Sequence, residues 1–170
     1  MSRVRNLLIR VRGGEPLPDR VVLPVEKRER VLTWGRVGGG GIAAATDFGL
    51  RVRPGDGDPV LHRWHEIARA TWADGRLDVE GTDGASASYR LTEPRGVPAA
   101  VREHVTASVV VSERHMVGPE AGLRIVARRD LSSGALQWSA VLDAQLDPDD
   151  AEVRARAEAI LDAVRRRHGG

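Results

Sequence analysis

The densest grouping of chemically capable side chains in this 170-residue chain is His62-Arg63-Trp64-His65-Glu66. Two imidazoles and a carboxylate are good ligands for zinc or iron, and on a helix His62 and His65, three apart, would share a face. On a strand they would point to opposite sides of the sheet. The zinc-protease spacing His-Glu-x-x-His is not met either, because Arg69 stands where the second His belongs. The expectation is therefore that no metal or other cofactor is held. A metal-dependent or hydrolytic enzyme using His62, His65 and Glu66 remains the alternative to a non-enzymatic reading.

Two basic clusters are the next candidates. Arg3, Arg5, Arg10 and Arg12 fall in twelve residues without an acid, and Arg165-Arg166-Arg167 lies near the C-terminus. Such groups contact phosphates, so the Arg3/Arg5/Arg10/Arg12 cluster offers a second alternative, an anionic surface of nucleic acid or acidic lipid. The whole-chain balance points elsewhere: 26 basic residues face 24 acidic ones, and Lys27 is the only lysine. No aromatic is interleaved with either cluster to stack bases, and the C-terminal trio sits where a helix dipole favours cations. Nucleic acid is not the expected partner.

Other chemistries lack their residues. With no cysteine, the chain excludes disulfide frameworks, thiol nucleophiles, iron–sulfur clusters and cysteine zinc sites. Gly39-Gly-Gly-Ile-Ala-Ala44 satisfies the dinucleotide fingerprint formally. That motif needs a helix and a crossover, and Asp47-Phe48-Gly49 follows too soon to allow them. There is no Gly-x-Ser-x-Gly elbow and no phosphate loop ending in Lys-Ser or Lys-Thr. Asp74, Asp78 and Asp83 read as turn residues. No apolar run approaches the roughly 18 residues of a membrane span, and a cytoplasmic location is expected.

The elements that position these residues follow from punctuation and periodicity. Residues 1–28, with Gly13-Gly14 and Pro16, Pro18 and Pro24, read as an N-terminal arm. Regular structure is expected from Glu29, with Arg30–Val37 as a strand before a turn at Gly38–Gly41. Ile42–Thr46 and Leu50–Arg53 follow as short strands, and Val60–Trp64 as a candidate strand that leads through His65-Glu66-Ile67 to Ala68–Trp72. Asp74-Gly75 and Thr82-Asp83-Gly84 then mark tight hairpin turns. The first half is thus a meander of about six or seven antiparallel strands. Pro94 and Pro98 open a helix with Val97, Val101 and Val105 on one face. Val109–Met116, Leu123–Arg129 and Leu136–Leu142 are three more strands. Asp147-Pro148 is expected to cap a final helix carrying Val153, Ala157, Ile160, Leu161 and Val164 on its buried face. Trp34, Trp64, Trp72, Trp138, Tyr89 and Phe48 are expected to anchor the packing.

From Glu29 to about Ser108 the chain resembles bacterial PH-like domains related to GRAM domains. The resemblance is carried by Gly-Ile-Ala-Ala-Ala-Thr-Asp-Phe-Gly-Leu-Arg-Val from Gly41 to Val52. In the same comparison Leu61–Trp72 matches a fourth strand, Gly75–Val79 a fifth, and the helix from Pro94 the capping helix. The whole chain is also similar to a group of uncharacterised actinobacterial proteins of comparable length. The PH-like resemblance implies a bent antiparallel sheet or barrel capped by a helix and used for binding or assembly. Relatives that hold phosphoinositides use cations in the first hairpin loop. Here Val37–Ile42 has only Arg36 beside it, so that ligand is not expected.

The fold class read from the sequence is α+β: a PH-like domain over residues 29–108, then a β-β-β-α extension over 109–170 packed on it as one cooperative unit. The function read from it is a non-enzymatic binding or scaffold module with a protein partner, and a homo-oligomer is compatible with this reading. Leu136, Trp138, Ile160 and Leu161 are together too apolar to face water. A chain cut after Ser108 is thus expected to aggregate or to lose its sharp thermal transition; melting like the full chain would separate the two halves.

Overall fold

A computed structural model describes Leu23 and residues 25–169. The Arg3, Arg5, Arg10 and Arg12 cluster lies outside the described residues. The chain divides into two compact units between Val105 and Thr106.

The first unit contains β1 (Val31–Val37), β2 (Gly41–Thr46), β3 (Gly49–Arg53), β4 (Val60–Arg63), β5 (Ile67–Ala73), β6 (Arg76–Gly81) and β7 (Ser86–Glu93). They form one antiparallel sheet in the order β4-β3-β2-β1-β7-β6-β5. Helix α1 (Val97–Ser108) follows, and the division between units falls in its last turn. The expected hairpins are present. Asp74 and Gly75 both have positive φ, 49° and 75°, as the two central positions of a type I′ turn require. Gly38–Gly40 forms a 3-10 turn between β1 and β2, so the fingerprint-like glycines lead into a strand.

Half of β2 is alanine, a poor strand former. It is a strand because both of its faces are covered. Ala43 and Ala45 enter the main core, while Ile42 and Ala44 pack on the other side with Leu23, Val31 and Trp34. Small side chains suit a layer covered twice. The main core draws Val37, Leu50, Val52, Ile67, Leu77 and Leu91 from five further strands and Val97 and Val101 from α1, so the sheet must bend around it. The bend is concentrated where β1 meets β7 at only two registered positions, Arg36 with Glu93 and Val37 with Leu91, with a shift between them. Gly35 allows that approach, since a Cβ there would stand 2.5 Å from the Glu93 carbonyl oxygen. Beside the bend, Arg95, held at φ 46°, places its guanidinium 3.8 Å from the Trp34 ring centroid.

The stretch from Val60 to Trp72 is two strands, β4 and β5, linked through His65-Glu66 as expected. A 3-10 turn at Trp64–Glu66 divides it, and β4 and β5 end at opposite edges of the sheet. The cause is Trp64, whose fully buried ring turns into the core, donates from Nε1 to the Thr46 carbonyl at 3.0 Å and stacks on His104. The strand matched as fourth in the resemblance therefore comprises β4 and β5, and the run near Gly75–Val79 lies in the sixth.

A buried charge pair ties the residues before β1 to the β2–β3 hairpin. Glu29 accepts from Arg51 Nε at 2.7 Å and Nη2 at 2.5 Å, from the Thr46 hydroxyl at 2.6 Å and from the Glu26 amide at 2.9 Å. Burial alone would raise its pKa, but the bonds from Arg51, Thr46 and Glu26, with the Arg51 charge, outweigh burial and hold it below the usual glutamate value.

The second unit contains β8 (Val109–Met116), β9 (Gly122–Arg129) and β10 (Leu136–Leu142), antiparallel in the order β10-β9-β8, and helix α2 (Ala151–Arg167). Leu123, Ile125, Ala157 and Val164 form its core, with Trp138, Ile160 and Leu161 packed against them. The helix starts later than expected. Asp150, not Asp147, is its cap, accepting from the amides of Glu152 at 2.7 Å and Val153 at 3.2 Å, while Asp147 closes a preceding turn onto the Asp149 amide. Asp150 bonds the first free amides directly, which is what defines the cap.

Replacing Glu29 with Gln leaves Arg51 buried beside a neutral partner, and should destabilise the protein by about 3 kcal/mol in denaturant titrations. Because the folded pKa is lowered, the ionised Glu29 contributes fully above the unfolded value of about 4.3, and the contribution is lost as pH falls towards the folded one. Glu29→Gln should remove that part of the acid sensitivity; an unchanged curve would show that the pair contributes nothing.

Candidate functional site

The structure does not gather His62, His65 and Glu66 into one site. His62, on β4, is half-buried, and its Nε2 lies 2.6 Å from the Tyr89 hydroxyl of β7, with the rings edge to face at 5.7 Å. β4 and β7 are not neighbours in the sheet, so this bond crosses the bend. His65 is buried in the 3-10 turn, its Nε2 3.9 Å from Glu66 Oε1, whereas the Glu66 side chain is half exposed. Among the described residues no group of three or more His, Asp or Glu is placed to hold a metal ion.

Burial lowers the His62 pKa, only partly opposed by the Glu66 charge, and burial raises that of Tyr89. Both shifts favour a neutral pair. Neutral imidazole and phenol satisfy each other across the bend without a charge in the core.

At the end of α2, Arg167 of the basic trio and the neighbouring His168 have a local role. Arg167 Nη2 stands 2.6 Å from Glu113 Oε2 and His168 Nε2 2.7 Å from Oε1, fastening the last turn of the helix to β8. His115 Nε2 approaches the same carboxylate at 3.3 Å without hydrogen-bond geometry. The bonds from His168 and Arg167 hold the Glu113 pKa below its ordinary value.

A different place in the first unit has the features of a recognition surface. β5 ends the sheet order, so among the described residues one of its sides carries no strand. Ala70 and Trp72 pair with Val79 and Leu77 of β6, and share their side of the sheet. There they border a hollow of about 290 Å3 closed by Pro98, Ala99, Val101 and Arg102 of α1. On the other side Arg69 and Thr71 pair with Glu80 and Asp78, which pair in turn with Ser86 and Ser88. These six residues line a second hollow of about 350 Å3, one cation against two carboxylates, and Arg76 on the same side of β6 donates to Ser88. Each hollow is at the small end of the range for drug-sized ligands, and suits side chains of an extended chain.

Sequence edges are normally guarded by charge, proline or shortness. β4 is four residues long and carries His62 and Arg63, but Ala70-Thr71-Trp72-Ala73 of β5 has no charged residue. Trp72 corrects an expectation. It is 38% exposed, whereas Trp34 and Trp64 are buried, so it is not a core anchor. Asp78 is likewise no turn residue: it lies within β6 and accepts from the Ser88 hydroxyl. The alternation of Asp78 and Glu80 along a strand was the available signal, and reading Asp78 as turn chemistry hid it.

A scan against protein-family models, a search of curated proteins and a search of solved structures each found no match.

Because the folded pKa of His62 is lowered, its contribution to stability is present above the unfolded value of about 6.5 and is lost as pH falls through the folded one. Thermal melts should therefore shift downward as pH drops below 6.5, and His62→Gln, which keeps a polar partner for Tyr89, should flatten that part of the profile. Identical profiles for the two proteins would show that His62 titrates without consequence.

Proposed function

We propose that this protein is a non-enzymatic binding module, that its first unit is a PH-like domain, and that its ligand is an extended peptide added to the sheet alongside β5. The PH-like reading is supported by seven antiparallel strands bent around one core, with a helix directly after the last. The binding reading rests on one observation: the uncharged end of an edge strand lies between an apolar hollow and a hollow with excess negative charge.

An added strand gains main-chain hydrogen bonds from β5, and its side chains alternate between the two hollows. Residues facing α1 would meet Ala70, Trp72, Leu77 and Val101. Those facing outward would meet Thr71, Asp78 and Glu80, with Arg69 as the opposing charge. The ligand chemistry that satisfies both sides is a peptide in which apolar and basic residues alternate. Trp72 is the anchor, a large amphipathic ring presented at low entropic cost. The metal-dependent or hydrolytic alternative draws no comparable support, since Nε2 of His62 is engaged by Tyr89.

Isothermal titration of the full chain with alternating Val-Arg and Val-Glu octapeptides tests this reading. The Val-Arg peptide should bind at least tenfold more tightly, and Trp72→Ala should weaken it about tenfold or more while leaving the melting temperature nearly unchanged. Glu80→Lys should reverse the preference between the two peptides. Equal affinities that neither substitution alters would overturn the assignment.

A further inference from the structure

We infer that the chain self-associates through β10, an edge strand of its second unit, paired antiparallel with β10 of a second copy. The inference stands apart from the β5 assignment, which concerns the other unit. Edge strands are guarded by charge, proline, bulges or shortness. β8, at one end of the sheet order, carries Glu113, Arg114 and His115 and a register shift between Val109 and Val111. β10, at the other end, is Leu136-Gln-Trp-Ser-Ala-Val-Leu142, seven residues without charge, proline or glycine. Among the described residues no strand lies on its other side.

The pairing with β9 determines what that side offers. The Asp143 amide donates to the Gly122 carbonyl at 2.9 Å and the Asp130 amide to the Ala135 carbonyl at 2.9 Å, in line with the β9–β10 register. In an antiparallel pair alternate residues turn both N–H and C=O to the same neighbour. The odd-numbered residues of β10 therefore bond β9, and Leu136, Trp138, Ala140 and Leu142 turn their main-chain groups to the free side. The side chains of these four are only partly buried, whereas Leu123, Ile125 and Ala127, which pair with Leu142, Ala140 and Trp138, are fully buried. On the opposite face Val141 is 55% exposed.

A second copy of β10 matches this edge residue by residue. A two-fold axis at Ser139 is the one register that pairs all seven residues: Ser139 with itself, Trp138 with Ala140, Gln137 with Val141 and Leu136 with Leu142. It sets the four residues with free main-chain groups against one another, for about eight hydrogen bonds, within the usual range for a specific interface. The largest side chain of the strand, Trp138, then lies beside the smallest, Ala140 of the second copy. The contact is isologous and closes at two copies, whereas β10 placed on β8 would be head to tail and leave a free β10 at every addition.

The charges around the joint permit it. Arg124 pairs with Val141 and Arg128 with Gln137. Arg124 and Arg128 of the second copy are thus three strand spacings apart, about 14 Å, beyond the Debye length at physiological salt. The acids beyond the strand ends are engaged within their own chain: Asp143 accepts from Arg114 and the Gly122 amide, Asp130 from Ser132 and Ser133. Seven residues a side fall short of the roughly 20–30 of a standard interface, so the dimer is reversible, with a dissociation constant on the order of micromolar.

Sedimentation velocity of the full chain from about 1 to about 200 μM should show the mass rising from the 18.4 kDa of one chain towards twice that. Gln137→Lys with Val141→Lys sets like charges opposite each other twice across the joint, and should leave the chain monomeric throughout. Both side chains are exposed, so the melting temperature of the dilute protein should not change. Gln137→Lys with Val141→Glu sets opposite charges there and should restore the dimer. Because the chain has no cysteine, Ser139→Cys should give a disulfide between two chains under mild oxidation, the Cα atoms of such a pair standing about 4.5 Å apart. Ser112→Cys on β8 and Thr71→Cys on β5 should not. A chain monomeric over the whole range, a dimer that both charge variants leave unaltered, or cross-linking at Ser112 or Thr71 as readily as at Ser139 would overturn the inference.

Discussion

Glu29 is a carboxylate with a fully buried side chain, and the four hydrogen bonds it accepts decide how the first sheet begins. A charge removed from water is tolerable only when it is paired and its lone pairs are filled. Arg51 provides the pairing in the two-pronged geometry that guanidinium and carboxylate share, and Thr46 and the Glu26 amide complete the shell. The constraint fixes where β1 enters, which face of the β2–β3 hairpin it crosses and how Leu23 and Val25 reach the outer cluster. From there the register runs through β2 and β3 to β4, and the fully buried Trp64 stops the strand and turns the chain.

That turn separates β4 from β5 and creates an edge. The strand order places β5 last, beside α1, and the His62–Tyr89 bond crosses the bend that brings the two ends of the sheet to one core. The edge is a consequence of the fold, but its composition is not. A natural edge strand without charge over Ala70–Ala73 invites pairing. The two hollows restrict what it can pair with, and the peptide-binding account follows from that restriction.

Much of the architecture was legible in the sequence because turn chemistry and periodicity agree there. Asp74-Gly75 has the residue types of a type I′ turn, β8 and β10 have the expected bounds, and Val97 and Val101 face the core as their spacing requires. The failures have one physical origin, tertiary contact overriding local pattern. The link at His65-Glu66 was legible between Val60 and Trp72, but the parting of β4 and β5 to opposite edges of the sheet was not, because it comes from the burial of Trp64 against Thr46 and His104. Trp72 resembles any other tryptophan in composition, and its exposure depends on β5 being last in the sheet. Asp150 displaced Asp147 as the helix cap because adjacent acids offer equivalent local signals, and only the backbone geometry chooses between them. The candidate site was the least legible part, since Asp78, Glu80 and Trp72 become neighbours only through pairing between strands.

The most direct measurement of the central claim is site-resolved amide hydrogen exchange on the full chain with and without the alternating Val-Arg peptide. An added strand protects backbone amides as well as covering side chains. The account predicts exchange at least tenfold slower within Ala70–Ala73 of β5, with Val60–Arg63 of β4 and Leu136–Leu142 of β10 unchanged. Unaltered exchange in β5, or equal slowing at either of the other strands, would contradict it.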